Sequence, residues 1–490
     1  MRQRLWRPSV AIAILAALVV AGCTTTVAGR NVPAPAAPDA SLPVVGDSGG
    51  AFDQTVKNAL SDVFTFWQKV YPSVAGGKPL PPLKGKLYSV DGAHPSAESK
   101  QNGCISKAGA DAVVDNAFYC ELDDSIAWDR NPQHLVPVLG DKYGPLLVAM
   151  VFAHEFGHAV QERLGLFDQQ VPQIVHETQA DCASGAFTAQ VMQNQTAHIR
   201  ATPAQLDQAL VGYLNVRDDT PTDEKDISHG DGFDRIGALA DGFEHGVTEC
   251  YKSNWADRTF TERPFSSADD QANQGNETFE QVIDPDKPDP NNPNSGGGGL
   301  QPDLNTFWKN AAKSINKPWT DVKIAQAPHP KCGDTSSSFG YCPDDNTVYF
   351  DVDYARTAYN SMSVLNIDRQ SADVTVEGNQ PGDFALGTLF SFGWGLAVRH
   401  QLFNRSLDDG PALLAAACYT GAYAKTINVP QTEKLPDGRQ FYLSPPDLDE
   451  ATNAVLTLVG QNQAFGARST TGLERVLSVV KGYEGGLSVC

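Results

Sequence analysis

Residues 230–250 read GDGFDRIGALADGFEHGVTEC, and residues 470–490 read TTGLERVLSVVKGYEGGLSVC. They align without a gap, and Gly232, Arg235, Gly242, Glu244 and Cys250 recur as Gly472, Arg475, Gly482, Glu484 and Cys490. Earlier stretches answer one another in the same order. TFWQK (65–69) is matched by TFWKN (306–310), FYCELDDSIAWD (118–129) by GYCPDDNTVYFD (340–351), and ETQADC (177–182) by LLAAAC (413–418). So long a period points to a duplicated domain, not to a solenoid, whose repeats run to roughly 20–50 residues. Between the halves, DPDKPDPNNPNSGGGGL lacks the apolar residues to build a core. The expected organisation is a first domain over 51–265, a disordered linker over 266–300 and a second domain over 301–490.

The N-terminus carries three Arg and then an apolar run from Val10 to Val20. This suits the charged and apolar regions of a secretory signal and is too short to span a membrane. It ends in VAGC (20–23), which resembles a bacterial lipobox. The resemblance implies a signal peptide over 1–22, lipidation of Cys23 and anchorage to the outer face of the cell membrane. Residues 23–50, rich in Thr, Ala, Pro and Gly, read as a flexible tether. The formal net charge of −21 argues against nucleic-acid binding and against attraction to anionic lipid.

With Cys23 set aside, eight cysteines remain, four in each half at matching places. An even number in an exported chain reads as disulfides. The simplest symmetric pairing joins Cys104 to Cys120, Cys182 to Cys250, Cys332 to Cys342 and Cys418 to Cys490.

Periodicity and caps place helices over Ser61–Tyr71, Pro145–Leu164, Val175–Gln193, Ala201–Val216 and Phe233–Gly246. FYCELDDSIAWD reads as a strand or hairpin. Pro145 suits a first helical turn and Gly165 a C-terminal stop. A small sheet with packed helices makes an α+β domain.

The chemistry lies in FAHEFGHAVQ (152–161). His154 and His158 are at i, i+4, which puts both imidazoles on one helix face, about 5–6 Å apart at Cβ. That spacing suits two ligands of one Zn²⁺. Glu155 does not point with the pair, and its task is that of general base toward an activated water. The flanking residues are apolar, so the helix is largely buried and its polar residues need partners. HETQADC (176–182) offers Glu177 and Asp181, again at i, i+4. In gluzincins, the HExxH zinc peptidases with a glutamate third ligand, such a Glu binds zinc. The resemblance therefore assigns Glu177 to the metal and Asp181 to the N–H of a ligand histidine. His176, adjacent to Glu177, reads as a surface or packing residue.

Together FAHEFGHAVQ, ETQADC, the YC…DD…D strand and SHGDGFDR…GFEHG…C resemble the neutral zinc metallopeptidase family (YpfJ-like). With the lipobox and the doubled domain, the chain is similar to actinobacterial lipoprotein peptidases. The resemblance implies a zincin-like fold, one Zn²⁺ per chain and a peptide or protein substrate. It also places His229 as a candidate oxyanion donor. Arg235 recurs as Arg475 and reads as structural, pairing with a buried carboxylate.

In the second half the same stretch reads FSFGWGLAVR (390–399). His154, Glu155, His158, Glu177, Asp181 and His229 become Phe392, Gly393, Leu396, Leu413, Ala417 and Ser469. The second half is therefore expected to be a degenerate, metal-free copy. Two other readings stand beside this one. A non-hydrolytic envelope protein with a structural zinc would want four protein ligands where three are offered. An amidase of cell-wall peptides would use the same site.

Overall fold

The computed structural model describes residues 35–490, apart from 222–227, 284–298, 327–337, 369, 431–432, 440, 460–464 and 466–468. The expected signal segment and Cys23 lie outside the described residues. No helix among those described is long and apolar enough to cross a membrane.

The architecture is α+β. In the first half, β1 (Val44–Val45), β2 (Leu87–Val90), β3 (Ala117–Cys120) and β4 (Ser125–Asp129) form a sheet in the order β1-β2-β4-β3. β2 runs parallel to β4, and β3 pairs antiparallel with it, with Tyr119 opposite Ile126. Strand β3 is thus an edge. The β3–β4 turn carries Asp124 in the left-handed region (φ 55°), a conformation that Asp and Asn tolerate better than other side-chain-bearing residues. Asp124 accepts a hydrogen bond from the Tyr119 hydroxyl (2.9 Å) and pairs with Arg163 (3.1 Å).

The second half contains β5 (Lys323–Gln326), β6 (Phe339–Cys342) and β7 (Thr347–Phe350) in the order β5-β7-β6. The pairings are again parallel and antiparallel, with Tyr341 opposite Val348. Its turn carries Asn346 at φ 55°. Asn346 accepts from the Tyr341 hydroxyl (2.8 Å) and from the Gln401 amide (2.9 Å). A separate hairpin, β8 (Met362–Ile367) with β9 (Val374–Gln380), belongs to the second half and is not repeated among the described residues of the first.

The HExxH helix spans Pro145–Leu164, as proline and glycine at its ends dictate. Gly165 stops it in the left-handed conformation, its N–H bonded to the carbonyls of Gln161 and Glu162. The acid-bearing helix runs Gln173–Met192. It crosses the helix Gly232–His245 so closely that a Cβ on Gly185 would lie 1.8 Å from Leu239 O, and one on Gly242 1.8 Å from Cys182 O. Only glycine permits that approach. In the second half, Gly421 and Gly482 meet Val479 O and Cys418 O at 1.9 Å in the same way. Disulfides Cys182–Cys250 and Cys418–Cys490 tie the two crossings, and Cys104–Cys120 closes the loop before β4. The fourth expected pair includes Cys332, which lies outside the described residues.

Three expectations need correction. Residues 35–50 are not a free tether. Val44 and Val45 pair with β2, the Ala37 amide bonds to Ala197 O (2.8 Å), and Asp47 pairs with Lys57 (2.8 Å). The expected linker is ordered over 266–283, where two short helices form and the second buries Phe279 and Val282. The halves are not separable bodies, because Pro33–Cys490 forms one unit with a continuous apolar core. Their contact is reciprocal. Asp207 of the first half accepts from the Gly472 and Leu473 amides (2.8 and 3.1 Å), capping the helix Gly472–Gly485. Asp449 of the second half accepts from the Phe233 amide (2.7 Å), capping the helix Gly232–His245, and pairs with Arg217 (2.9 Å). Each such cap contributes about 0.5–2 kcal/mol.

Candidate metal centre

His154 and His158 project from one face of their helix toward Glu177 on the next. The three donor atoms face one another: His154 Nε2 lies 3.1 Å from His158 Nε2, and Glu177 Oε2 lies 3.2 and 3.3 Å from the two nitrogens. Glu177 Oε2 is buried and close to both rings, yet aligned for a hydrogen bond with neither. A tetrahedral Zn²⁺ with bonds of about 2.0–2.2 Å holds neighbouring donors about 3.3–3.6 Å apart. The triangle is nearly of that size, and two imidazoles with one carboxylate are a common zinc set. The residues present therefore fit the ion.

The ring nitrogens turned away from the triangle are held. His154 Nδ1 donates to Asp181 Oδ1 (2.6 Å), and His158 Nδ1 to Gln161 Oε1 (2.8 Å). These bonds set the tautomers that leave both Nε2 lone pairs facing inward. Asp181 is fully buried and is gripped by both Arg235 Nε and an Arg235 terminal nitrogen (2.9 Å each), with the Tyr213 hydroxyl donating to it as well. Burial alone would raise the Asp181 pKa, but Arg235 and His154 outweigh it and hold the carboxyl well below the usual range. Gln161 is steadied in turn by His176 O and Gln179.

Glu155 points to β3, as a residue one step round the helix must. Its Oε2 accepts from the Tyr119 amide (2.9 Å). Burial pushes its pKa upward, partly countered by the two histidines. Burial would likewise raise Glu177, but His158 and His154 take it well below the carboxylate norm. For His154, burial works downward, yet the Asp181 carboxylate carries the metal-free imidazole up to about 10, so a metal bound at Nε2 displaces a proton from it.

The cluster opens into a cavity of about 890 Å³. His229 stands on its wall, 46% exposed, with Nδ1 bonded to Asp218 Oδ1 (2.9 Å). It touches none of the three donors in the described contacts, so its expected place is near the site and not within the cluster. His176 also lines the cavity and packs against Phe167, in line with the packing role expected of it. Arg235 finds the buried carboxylate that its chemistry required, and that carboxylate is Asp181.

Gln161, Tyr213, Asp218 and the Tyr119 amide had no place in the sequence reading. Gln161 was within reach of it, being one turn from His158 on the same helix. The others come from separate elements and leave no local signal.

A second group, Asp383, Asp447 and Glu450, also brings three donors together. It consists of buried carboxylates alone, and burial raises all three pKa values, Asp383 to about 6. Protons can therefore occupy it near neutrality, and it lacks the imidazoles that favour zinc. At the positions matching the first cluster, Phe392, Leu396 and Leu413 are fully buried, and Phe392 stacks on Phe465 (6.0 Å).

No protein-family model, curated protein or solved structure matches this chain.

Proposed function

We propose that the chain is a zinc-dependent metallopeptidase with one Zn²⁺ held by His154, His158 and Glu177. The observation that carries the reading is the inward-facing donor triangle, open to a cavity with Glu155 beside it. Three protein donors leave a fourth position for water or substrate, the arrangement of catalytic and not structural zinc. That position also weighs against the scaffold reading.

Zinc, when bound, supplies a Lewis acid that polarises a carbonyl and acidifies water. The chain's own residues do the rest. Glu155 is anchored through one oxygen by the Tyr119 amide and raised by burial, so the other oxygen can take a proton from the attacking water near neutral pH. The water oxygen bonds to the carbonyl carbon, the C–N bond breaks, and the proton on Glu155 passes to the leaving amine. Asp181 and Gln161 keep the imidazoles in the required tautomer, and Arg235 with Tyr213 keeps Asp181 in place. His229, steadied by Asp218, is positioned on the wall to donate to an oxyanion.

We further propose a zincin-like fold of the YpfJ-like family for the first half, with the second half a degenerate copy. The matched sheets, turn residues, glycine crossings and disulfides support this, and so does the reciprocal capping by Asp207 and Asp449. Self-complementary contact of that kind is the pattern of a two-fold homodimer, here within one chain. Lipid anchorage at Cys23 on the outer face of the membrane rests on the lipobox resemblance.

The decisive test is Glu155→Gln. The substitution keeps the shape and the metal but removes the base. Zinc content by atomic spectroscopy should match wild type, while peptide hydrolysis should fall about 10²–10⁴-fold. Hydrolysis at the wild-type rate would sink the mechanism.

A further inference from the structure

The hairpin β8–β9 has no counterpart among the described residues of the first half, yet two of its residues, Leu365 and Ile367, line the cavity that holds the His154–His158–Glu177 cluster. They are two apart on β8 and so share a face. Ile367 is 44% exposed, a large apolar side chain left open inside a cleft. The same cavity is lined by Leu135, Val136 and Leu139 and, on the HExxH helix, by Val148 and Val151.

The hairpin is clamped. The Val374 amide donates to Gln133 O (2.7 Å), and Lys142 Nζ donates to Val376 O (3.0 Å). Both bonds go to the hairpin backbone or from it, so they hold its position whatever side chains it carries. A clamped strand presenting alternate apolar side chains is a wall, not a lid.

Distance along the HExxH helix places the helix side of this apolar lining. Val151 and Val148 are three and six residues before His154, about 4.5 and 9 Å along the axis. An extended peptide advances about 3.3 Å per residue. A side chain one to three residues from a bond held at the cluster therefore reaches the apolar end.

We propose that the second half supplies part of an apolar subsite, formed by Leu365 and Ile367 together with Val148 and Val151 of the same cavity, which selects substrates with a bulky aliphatic side chain one to three residues from the scissile bond. The proposal deepens the peptidase reading and rests on it for the word scissile. The binding it describes is measurable without hydrolysis.

The test uses the full chain carrying Glu155→Gln and loaded with zinc. Fluorescein-labelled alanine-based nonapeptides, each with one Leu or one Ser at successive positions, serve as probes. At one or two adjacent positions the Leu peptide should bind at least about tenfold tighter than the Ser peptide. Adding Ile367→Ser or Leu365→Ser should bring that ratio below about three, with zinc content and melting temperature held. Ile367→Val should largely keep it, and so should Asn366→Ala, on the opposite face of the strand. The proposal is overturned if the parent does not discriminate, if the ratio survives both serine variants, or if Asn366→Ala lowers it as much. Failure of wild type to cleave any peptide that it binds would sink the peptidase reading, while the ratios would still decide the subsite.

Discussion

The helix Pro145–Leu164 and the helix Asp383–Phe403 are built alike and filled differently. Each follows a sheet with the same strand pairings, and each lies against its neighbour through a glycine, Gly157 on Ala180 and Gly395 on Ala416. The first carries His154 and His158 toward Glu177 and Glu155 toward β3. The second carries Phe392, Gly393 and Leu396, with Val348 in the space where a side chain at 393 would begin. The scaffold therefore does not need the site. The site, however, needs a fully connected polar network behind it, because a buried charge without partners costs several kcal/mol. Arg235 shows the dependence. It grips Asp181, whereas Arg475, facing Ala417 in place of an aspartate, turns to the carbonyls of Val455 and Thr470.

The sharpest break in this comparison should come from equivalent truncations. His158→Ala should abolish zinc binding and hydrolysis while leaving the fold. Leu396→Ala should cost about 2–5 kcal/mol through the cavity it opens, with zinc content unchanged. Zinc stoichiometry and urea melts on the two variants decide it. Metal retained by His158→Ala at wild-type affinity would remove that histidine from the site.

Asp181→Ala should come next. It strands Arg235 and should destabilise by about 3–5 kcal/mol, and zinc affinity should fall about 10–100-fold through the loosened His154. A competition titration with a chelator measures the affinity. The mirror change, Ala417→Asp, should destabilise without creating a metal site.

Loss of either long disulfide should cost about 2–5 kcal/mol. Removing Cys182–Cys250 should also lower activity, since it fixes the helix of Glu177. Removing Cys418–Cys490 should lower stability only. Non-reducing peptide mapping should recover both, with Cys104–Cys120 and Cys332–Cys342.

The pH dependence is common to both halves. Burial raises Asp234 and Asp383 to about 6, and Glu262 to about 8. Native carboxyls with raised pKa hold more protons than the unfolded chain, so their contribution is present at low pH. It is lost as pH rises from about 4 toward 6, and for Glu262 toward 8. Asp181 and Glu177, held low, act in the opposite sense and lose their contribution only in stronger acid. Urea midpoints should therefore be higher near pH 5 than near pH 8. A midpoint that rises over this range would contradict the assignment.

Much of the site was legible because its signals are local. An i, i+4 pair states which side chains share a face, Pro145 and Gly165 state where the helix starts and stops, and the match between halves states which cysteines correspond. Those features were determined by the sequence alone, since backbone geometry within one or two turns depends on neighbouring residues. The tertiary structure alone decided that Arg235 meets Asp181, that Asp207 and Asp449 cap helices in the opposite half, that residues 266–283 are ordered, and that Leu365 and Ile367 face a cavity in the other half. These are contacts between residues far apart in sequence or on separate elements. They depend on how packed elements cross, on close approaches such as Gly185 against Leu239, and on which buried polar groups remain to be satisfied. No periodicity along the chain encodes them.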